Sequence, residues 1–432
     1  MKKIALMSLL TSSILMAGGY KIPETSTNSV ALGGANVAHV KGADAAYDNP
    51  ANMIFMDDTQ QAEVDLMYIG LSSTNFKGTY AKTLTGTESL DSKKQSFIIP
   101  SVHYVSPKLG KNGVRVGLSI AVPGGLSRKW EEGSAKLVSQ EFTLEVVEVN
   151  PTVAYGITDK LAVAFGFRAV HTSGVVKSSE RAIVNASPLA TSYVSRDMKG
   201  SSLDFGYNLA LAYHPTKALE LALTYRSNVN LTVEGSAQLS ALDATLVASP
   251  STVIIPAGSY NGDASVSIPL PATLIAAAAY TFPTKTTVEV VYERAYWSAY
   301  KSLDFQYDAT LTHPVLVGAF DNPKPKKWRD TNTFRLGVTQ ELDSVTLRAG
   351  AIYDETPTPE STLNFESPGS NAYSFSFGGR YQINDKMDVG LSALYSIKKD
   401  RTVTTPPNTN GVDGTFSNSR ALLVSAGLGY KF

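Results

Sequence analysis

The stretch Leu422-Leu423-Val424-Ser425-Ala426-Gly427-Leu428-Gly429-Tyr430-Lys431-Phe432 decides the fold. Successive side chains of a strand point to opposite faces. One face therefore carries Leu422, Val424, Ala426, Leu428, Tyr430 and Phe432, and the other Leu423, Ser425, Gly427, Gly429 and Lys431. The same pattern recurs in Tyr373 to Ile383, where Tyr373, Phe375, Phe377, Tyr381 and Ile383 alternate with Ser374, Ser376, Gly378, Arg380 and Gln382. An apolar face outside and a polar face inside suit a wall between lipid and a wet lumen.

Working outward, similar segments read at 61 to 76, 95 to 106, 114 to 123, 142 to 157, 161 to 177, 201 to 213, 219 to 234, 264 to 282, 286 to 308, 331 to 342, 345 to 355 and 387 to 400. The connections alternate in length. Thr158-Asp159-Lys160, His214 to Ala218, Pro283-Thr284-Lys285, Asp343-Ser344 and Asn384-Asp385-Lys386 are short, while 77 to 94, 124 to 141, 178 to 200, 235 to 263, 309 to 330, 356 to 372 and 401 to 418 are long. Tight periplasmic turns and long outer loops mark a transmembrane antiparallel β-barrel, an all-β fold of about fourteen strands over residues 61–432.

Lys2 and Lys3 precede an apolar run from Ile4 to Ala17 that is too short to span a bilayer and ends in Ala17-Gly18-Gly19. Residues 1–17 read as a secretory signal peptide, with cleavage after Ala17 or Gly19. The chain has no cysteine, and its 38 basic residues balance 38 acidic ones. Disulfide frameworks, thiolate metal sites and cysteine nucleophiles are thereby excluded, and nothing in the charge calls for a nucleic-acid partner. His39, His103, His171, His214 and His313 are scattered without metal-ligand or triad spacing, so neither a catalytic nor a metal site nor a cofactor is expected.

About eight strands already use up the room that wall side chains can fill, and fourteen leave a lumen. Residues 18–60 precede the first alternating strand and are rich in small residues, among them Ser26, Ser29, Ala31, Gly33, Gly34, Ala35, Gly42, Ala45 and Ala46. They suit a compact N-terminal plug, or hatch, in the lumen; a flexible periplasmic tail is the alternative.

Several motifs carry a resemblance. Gly18-Gly19-Tyr20, Ala31-Leu32-Gly33-Gly34-Ala35, Asp48-Asn49-Pro50-Ala51, Tyr225-Arg226-Ser227, Leu270-Pro271-Ala272, Trp297-Ser298, Phe334-Arg335-Leu336-Gly337 and Tyr353-Asp354-Glu355-Thr356-Pro357 together resemble the FadL-type family of outer-membrane transporters of long-chain fatty acids and aromatic hydrocarbons. The resemblance covers essentially the whole chain after the leader. It implies a monomer in the outer membrane of a Gram-negative bacterium, a hatch, and a hydrophobic ligand that leaves sideways into lipid through a kink in the third strand. Pro123-Gly124-Gly125 falls at the kink's place. Proline cannot donate to a ladder and glycine weakens a strand, so these residues suit a gap in the wall; alternatively they begin the outer loop. The hatch motif Asn49-Pro50-Ala51 is expected to touch the kink. The terminal Leu428, Tyr430 and Phe432 resemble the signal read by the outer-membrane assembly machinery.

Strand parity places Arg168, Arg226, Arg335, Arg348 and Arg380 on lumen faces, with Glu289, Glu293 and Glu341. These arginines hold either a ligand head group or the hatch, through carboxylate pairs. Where the resemblance implies head-group cations, this chain has Ser178 and Asp304, with Lys177, Arg181 and Lys301 as stand-ins. That departure leaves fatty acid and uncharged hydrocarbon both open. Tyr292, Tyr296, Trp297 and Tyr300 line a pocket or form an interfacial girdle. Leu126, Trp130, Leu137, Val138, Leu242, Leu246, Val253 and Ile254 are candidates for an outer capture groove. A general diffusion porin is the rival reading.

Overall fold

A computed structural model describes residues 18–110, 113–186, 189–248 and 251–432; the leader expected at 1–17 lies outside them. Fourteen antiparallel strands close into a barrel. They are β1 (Gln61–Leu71), β2 (Gln95–Val105), β3 (Arg115–Arg128), β4 (Glu141–Gly156), β5 (Leu161–Ala186), β6 (Leu189–Tyr213), β7 (Leu219–Arg226 and Val229–Ala241), β8 (Gly258–Leu270 and Thr273–Thr281), β9 (Thr286–Ala295), β10 (Thr331–Glu341), β11 (Val345–Asp354), β12 (Ala372–Asn384), β13 (Met387–Lys398) and β14 (Arg420–Lys431). Each pairs with its neighbour, and β1 pairs with β14 along its full length, from Gln61↔Lys431 to Leu71↔Ala421.

The parity expected from sequence holds. In β1, Glu63, Asp65, Met67 and Ile69 are buried toward the lumen, while Val64, Leu66 and Tyr68 are exposed outside. Among the described residues no helix is long and apolar enough to cross a membrane. The strands do the crossing, and pairing to a neighbour is how a spanning strand satisfies its backbone groups.

Several connections expected as loops are strand. The segment 178–200 continues the β5–β6 hairpin, from Leu161↔Tyr213 to Ala186↔Leu189. A membrane strand needs only about 9–11 residues, so this hairpin stands well clear of the bilayer. In 235–263, β7 runs on to Ala241, a small hairpin pairs Ala244–Ala248 with Ser251–Ile255, and β8 begins at Gly258. Parts of 77–94 and 401–418 form one four-stranded sheet, built from Asn75–Tyr80, Glu88–Asp91, Arg401–Val403 and Val412–Ser417. The expected strand 286–308 breaks after Ala295 at a helical turn, Trp297–Ala299.

Residues 18–60 run inside the ring, bonded to its lumen-facing side chains. Ser26 caps a helical turn, Thr27–Ala31, by accepting the Ser29 N–H. The Thr27 N–H donates to Asp65 at 3.0 Å, and Ser376 Oγ donates to the Ala31 carbonyl at 2.8 Å. Glu289 of β9 accepts the N–H groups of Val37, Ala38 and His39 at 2.9, 2.7 and 3.2 Å. The small residues are needed for this close fit. A Cβ on Gly350 of β11 would lie 2.4 Å from the Leu32 carbonyl oxygen, and Gly34, at φ +77°, sits against Arg335.

Arg380 of β12 ties the base of this assembly together. It pairs with Glu63 and Asp388 and donates to Asn28 Oδ1 at 2.7 Å. Arg380→Ala would strand two inward carboxylates without their cation, at a cost of roughly 3–5 kcal/mol. The urea midpoint of the folded barrel, followed by its heat-modifiable gel mobility, is expected to fall well below that of Arg181→Ala on the exposed hairpin; equal midpoints would refute this role.

Candidate functional site

The wall parts between β2 and β3. β2 pairs with β1 along its whole length, but its pairing with β3 stops at Val102↔Ile120. Beyond that rung β3 bulges. Val122 and Pro123 fall between the pairs Ala121↔Glu148 and Gly124↔Val146, and residues 121–128 are buried. The strands meet again only at the outer end, where the Lys93 N–H donates to the Lys129 carbonyl at 2.8 Å and Gln95 Nε2 to Ser127 Oγ at 2.6 Å.

The edge that β3 turns away from β2 is taken by the N-terminal segment. The Ile22 N–H donates to the Pro123 carbonyl at 2.9 Å, and the Gly125 N–H to the Tyr20 carbonyl at 2.6 Å. Proline offers a carbonyl here without needing a partner for an N–H. Ile22 packs with Phe97 and Ile99 of β2 and Val122 of β3, so the inner side of the parting is apolar. Lys21 between them pairs with Glu293, which Arg335 also holds at 2.9 Å.

Farther out, four aromatic rings gather in the lumen. Tyr20 meets the Trp297 edge at a centroid distance of 4.7 Å, and Trp328 lies 4.9 Å from Trp297 and 5.0 Å from Tyr300. Outside this cluster is a cavity of about 1370 Å³ lined by Leu137, Val138, Phe142, Arg196, Phe305, Phe320 and Lys324 among others. Arg196 lies over Phe305 and Phe320 at 5.0 and 5.3 Å, and its Nη2 donates to Ser178 Oγ at 2.9 Å. Among the described residues neither Arg196 nor Lys324 has a salt-bridge partner, and Arg196 Nε is buried without a hydrogen bond. Lys324, in an outer loop, has its amine pushed down to about 8 by burial and then by the nearby cations Arg196, Lys82 and Lys326.

The sequence model of the outer membrane protein transport protein family (OMPP1/FadL/TodX) matches residues 8–432. The chain belongs to this family. It is 24% identical to the long-chain fatty acid transport protein of Escherichia coli O6:H1, over 91% of each chain. Its fold is similar to the crystal structure of a Pseudomonas aeruginosa FadL homologue, with a TM-score of 0.79 at 18% identity over 96% of this chain and 100% of that one. It is also similar to the toluene transporter TbuX of Ralstonia pickettii, with a TM-score of 0.67 at 20% identity over 94% and 98% of the two chains. The protein is thus an outer-membrane transporter of hydrophobic compounds from a Gram-negative bacterium, and the relatives named are transporters rather than enzymes.

Against this frame the residues singled out by sequence divide. Pro123, Gly124 and Gly125 lie in the strand rather than opening a loop. Asn49-Pro50-Ala51 does not bond to them: Asn49 donates to the Val37 carbonyl at 2.9 Å and accepts the Ala51 N–H at 3.2 Å. Tyr20 and Ile22 make those bonds instead, while Pro50 shares with Pro123 the lining of a cavity of about 770 Å³. Arg168 holds Glu148 at 2.9 Å and the Ser227 carbonyl at 2.6 Å, and Arg226 shares Glu148 while stacking on Tyr47 at 4.0 Å. These arginines, with Arg335, are committed to carboxylates. Arg348 lies in the field of Arg380, Asp44, Glu63 and Asp388 at the base of the lumen.

Lys177 pairs with Asp197 at 3.4 Å on the hairpin's outer face, and Arg181 and Lys301 are exposed. None of the three lines the outer cavity, whereas Arg196, the register partner of Ser178 on the adjacent strand, does. Trp130 packs against Phe365 in the core of the outer cap and donates Nε1 to its carbonyl at 3.1 Å. Its role is to brace the loops, whereas Leu126 packs into the lumen cluster. Tyr292 and Tyr296 face outward as a girdle, and Trp297 and Tyr300 are buried inside. Leu242 and Ile254 are exposed, Leu246 is the register partner of Val253 in the small outer hairpin, and Leu137 and Val138 line the cavity.

A Cβ at Gly124 would stand 2.8 Å from the Tyr20 carbonyl oxygen. Gly124→Val is expected to lift residues 20–22 off β3. Losing hydrogen bonds worth about 1 kcal/mol each should raise amide exchange at Ile22 and Gly125 by roughly tenfold; unchanged protection would show that the segment is held by other contacts.

Proposed function

We propose that this transporter takes up long-chain fatty acids and releases them sideways into the bilayer between β2 and β3. The observation that carries the reading is Arg196. The inner arginines Arg168, Arg226, Arg335 and Arg380 are matched to carboxylates, but Arg196 stands at a half-apolar cavity with buried donor capacity unused and Lys324 beside it. A buried cation without an anion is costly. A ligand carboxylate removes that cost and gains charge-assisted hydrogen bonds, while Phe142, Phe305 and Phe320 cover its first methylenes.

The exit follows from the cost of wetting a chain, about 0.8 kcal/mol per methylene. The parting between β2 and β3 is lined by Phe97, Ile99 and Val122, and residues 20–22 bond along the β3 edge on its inner side. In this mechanism residues 18–60 act as the hatch, and withdrawal of Tyr20 to Ile22 from β3 opens the way. Aromatic hydrocarbons are the second reading, favoured by the phenylalanines of the cavity, which bind an uncharged ring without Arg196. The filled lumen counts against an open porin.

Uptake of labelled oleate and of labelled toluene, in cells that lack their own transporter and normalised to folded protein, separates these readings. Arg196→Ala is expected to cut oleate uptake about tenfold or more, the loss of one hydrogen bond to a charged group being worth roughly 1.5–3 kcal/mol, and to leave toluene uptake unchanged. Oleate binding should weaken as pH rises from neutrality through about 8, where Lys324 loses its proton, and in Arg196→Ala this fall should move to higher pH because a neighbouring cation is gone. Toluene uptake without oleate uptake in the unaltered protein would overturn the fatty acid reading.

A further inference from the structure

We propose that a second, apolar cavity adjoining the cationic mouth receives the acyl tail, and that Gly174 sets how long a tail it accepts. The inference rests on the fatty acid reading above. The cavity measures about 450 Å³ and is walled by Phe142, Leu144, Val176, Met198, Val233 and Ile268. Phe142 and Phe305 line both cavities, so the two meet at these rings. Arg196, Met198 and Gly200 are successive inward positions of β6. At about 3.3 Å per residue the guanidinium residue stands roughly 13 Å from Gly200, on the side away from the membrane. A carboxylate held at Arg196 therefore points its tail past the phenylalanines into the apolar space.

The floor of that space has no side chains. Gly174 of β5 pairs with Gly200 of β6, and Gly200 pairs with Gly235 of β7. Packing explains two of the three. A Cβ on Gly200 would lie 2.5 Å from the Glu234 carbonyl oxygen, and one on Gly235 would lie 2.2 Å from that of Lys199. Gly174 is different. The nearest atom to its hypothetical Cβ is a Val233 methyl at 3.6 Å, an ordinary contact. A glycine within a strand weakens it, and here no neighbour requires one. What its missing side chain leaves is room between Val233 and Leu144 on the route from the unpaired Arg196 donor.

The test is the chain-length dependence of binding. Octanoate, dodecanoate and hexadecanoate would be titrated calorimetrically into the full-length protein held in amphipol, for the unaltered chain and for Gly174→Ala and Gly174→Val. In the unaltered protein each methylene entering the cavity should raise affinity roughly fourfold, which is about 0.8 kcal/mol converted at 1.4 kcal/mol per tenfold. In Gly174→Val that rise should stop at a shorter chain while octanoate binds as before, with Gly174→Ala between the two. Parallel curves for all three proteins, or an equal loss at every length including octanoate, would overturn the role of Gly174. Failure of the unaltered protein to bind any of the carboxylates would instead remove the fatty acid reading, and this inference with it.

Discussion

A strand inside a bilayer has no solvent to bond to, so each backbone N–H and C=O must find a partner in the protein. Closure of β1 on β14 meets that demand around the ring. At β2 and β3 the ring lets go, and the abandoned edge of β3 is bonded instead by Tyr20 and Ile22 of the N-terminal segment. The parting and its seal are one arrangement. Glycine at 124 lets the segment approach, proline at 123 removes a donor that would have no partner, and Lys21 is drawn by Glu293 between the two backbone bonds. The substitute partners belong to a lumen segment rather than to a wall strand.

The polar interior follows the same logic. Glu148 carries Arg168 and Arg226, Glu293 carries Lys21 and Arg335, and Glu63 and Asp388 carry Arg380. Such matched groups fix the position of the N-terminal segment, since Arg226 also stacks on Tyr47 and Glu289 grips three successive backbone N–H groups. They leave little capacity for a ligand. Of the cations that have no salt bridge among the described residues, Arg196 and Lys324 sit in the outer part of the chain, where a solute first arrives.

How far the sequence could be read depended on whether period-two alternation was carried far enough. Alternation made β12 and β14 plain and set the inward side of each arginine. It also contained Arg196, which shares parity with Met198 and Ser202, but treating 178–200 as loop put that residue beyond the reach of a face argument. Extending the hairpin through this segment brings Ser178 and Arg196 into register. Other features had no local signal. Trp130 reads from sequence as part of an outer capture groove, and it is buried by Phe365 together with the sheet built from the distant segments 75–91 and 401–417. Asn49-Pro50-Ala51 reads as a contact motif, yet its hydrogen bonds cap a helical turn and hold Val37, and the backbone bonds to β3 come from Tyr20 and Ile22, whose sequence carries no signal of that contact.

A transporter of acyl chains without an energy source has to hold its ligand no more tightly than the membrane that receives it. Some sixteen methylenes at about 0.8 kcal/mol each represent roughly 13 kcal/mol of burial, which a fully apolar tunnel would match and the bilayer would match again. The tail therefore gains little by moving sideways, and direction must come from the head group. On the fatty acid reading the carboxylate meets Arg196 and Lys324 at the mouth, whereas Arg168, Arg226, Arg335 and Arg380 in the lumen are already paired. Such a gradient favours capture at low external concentration, and the slow step becomes release of the carboxylate from the outer cations. Lys324, whose proton is held weakly, limits how strong that grip can be, so a cation depressed by its neighbours suits a site that has to let go.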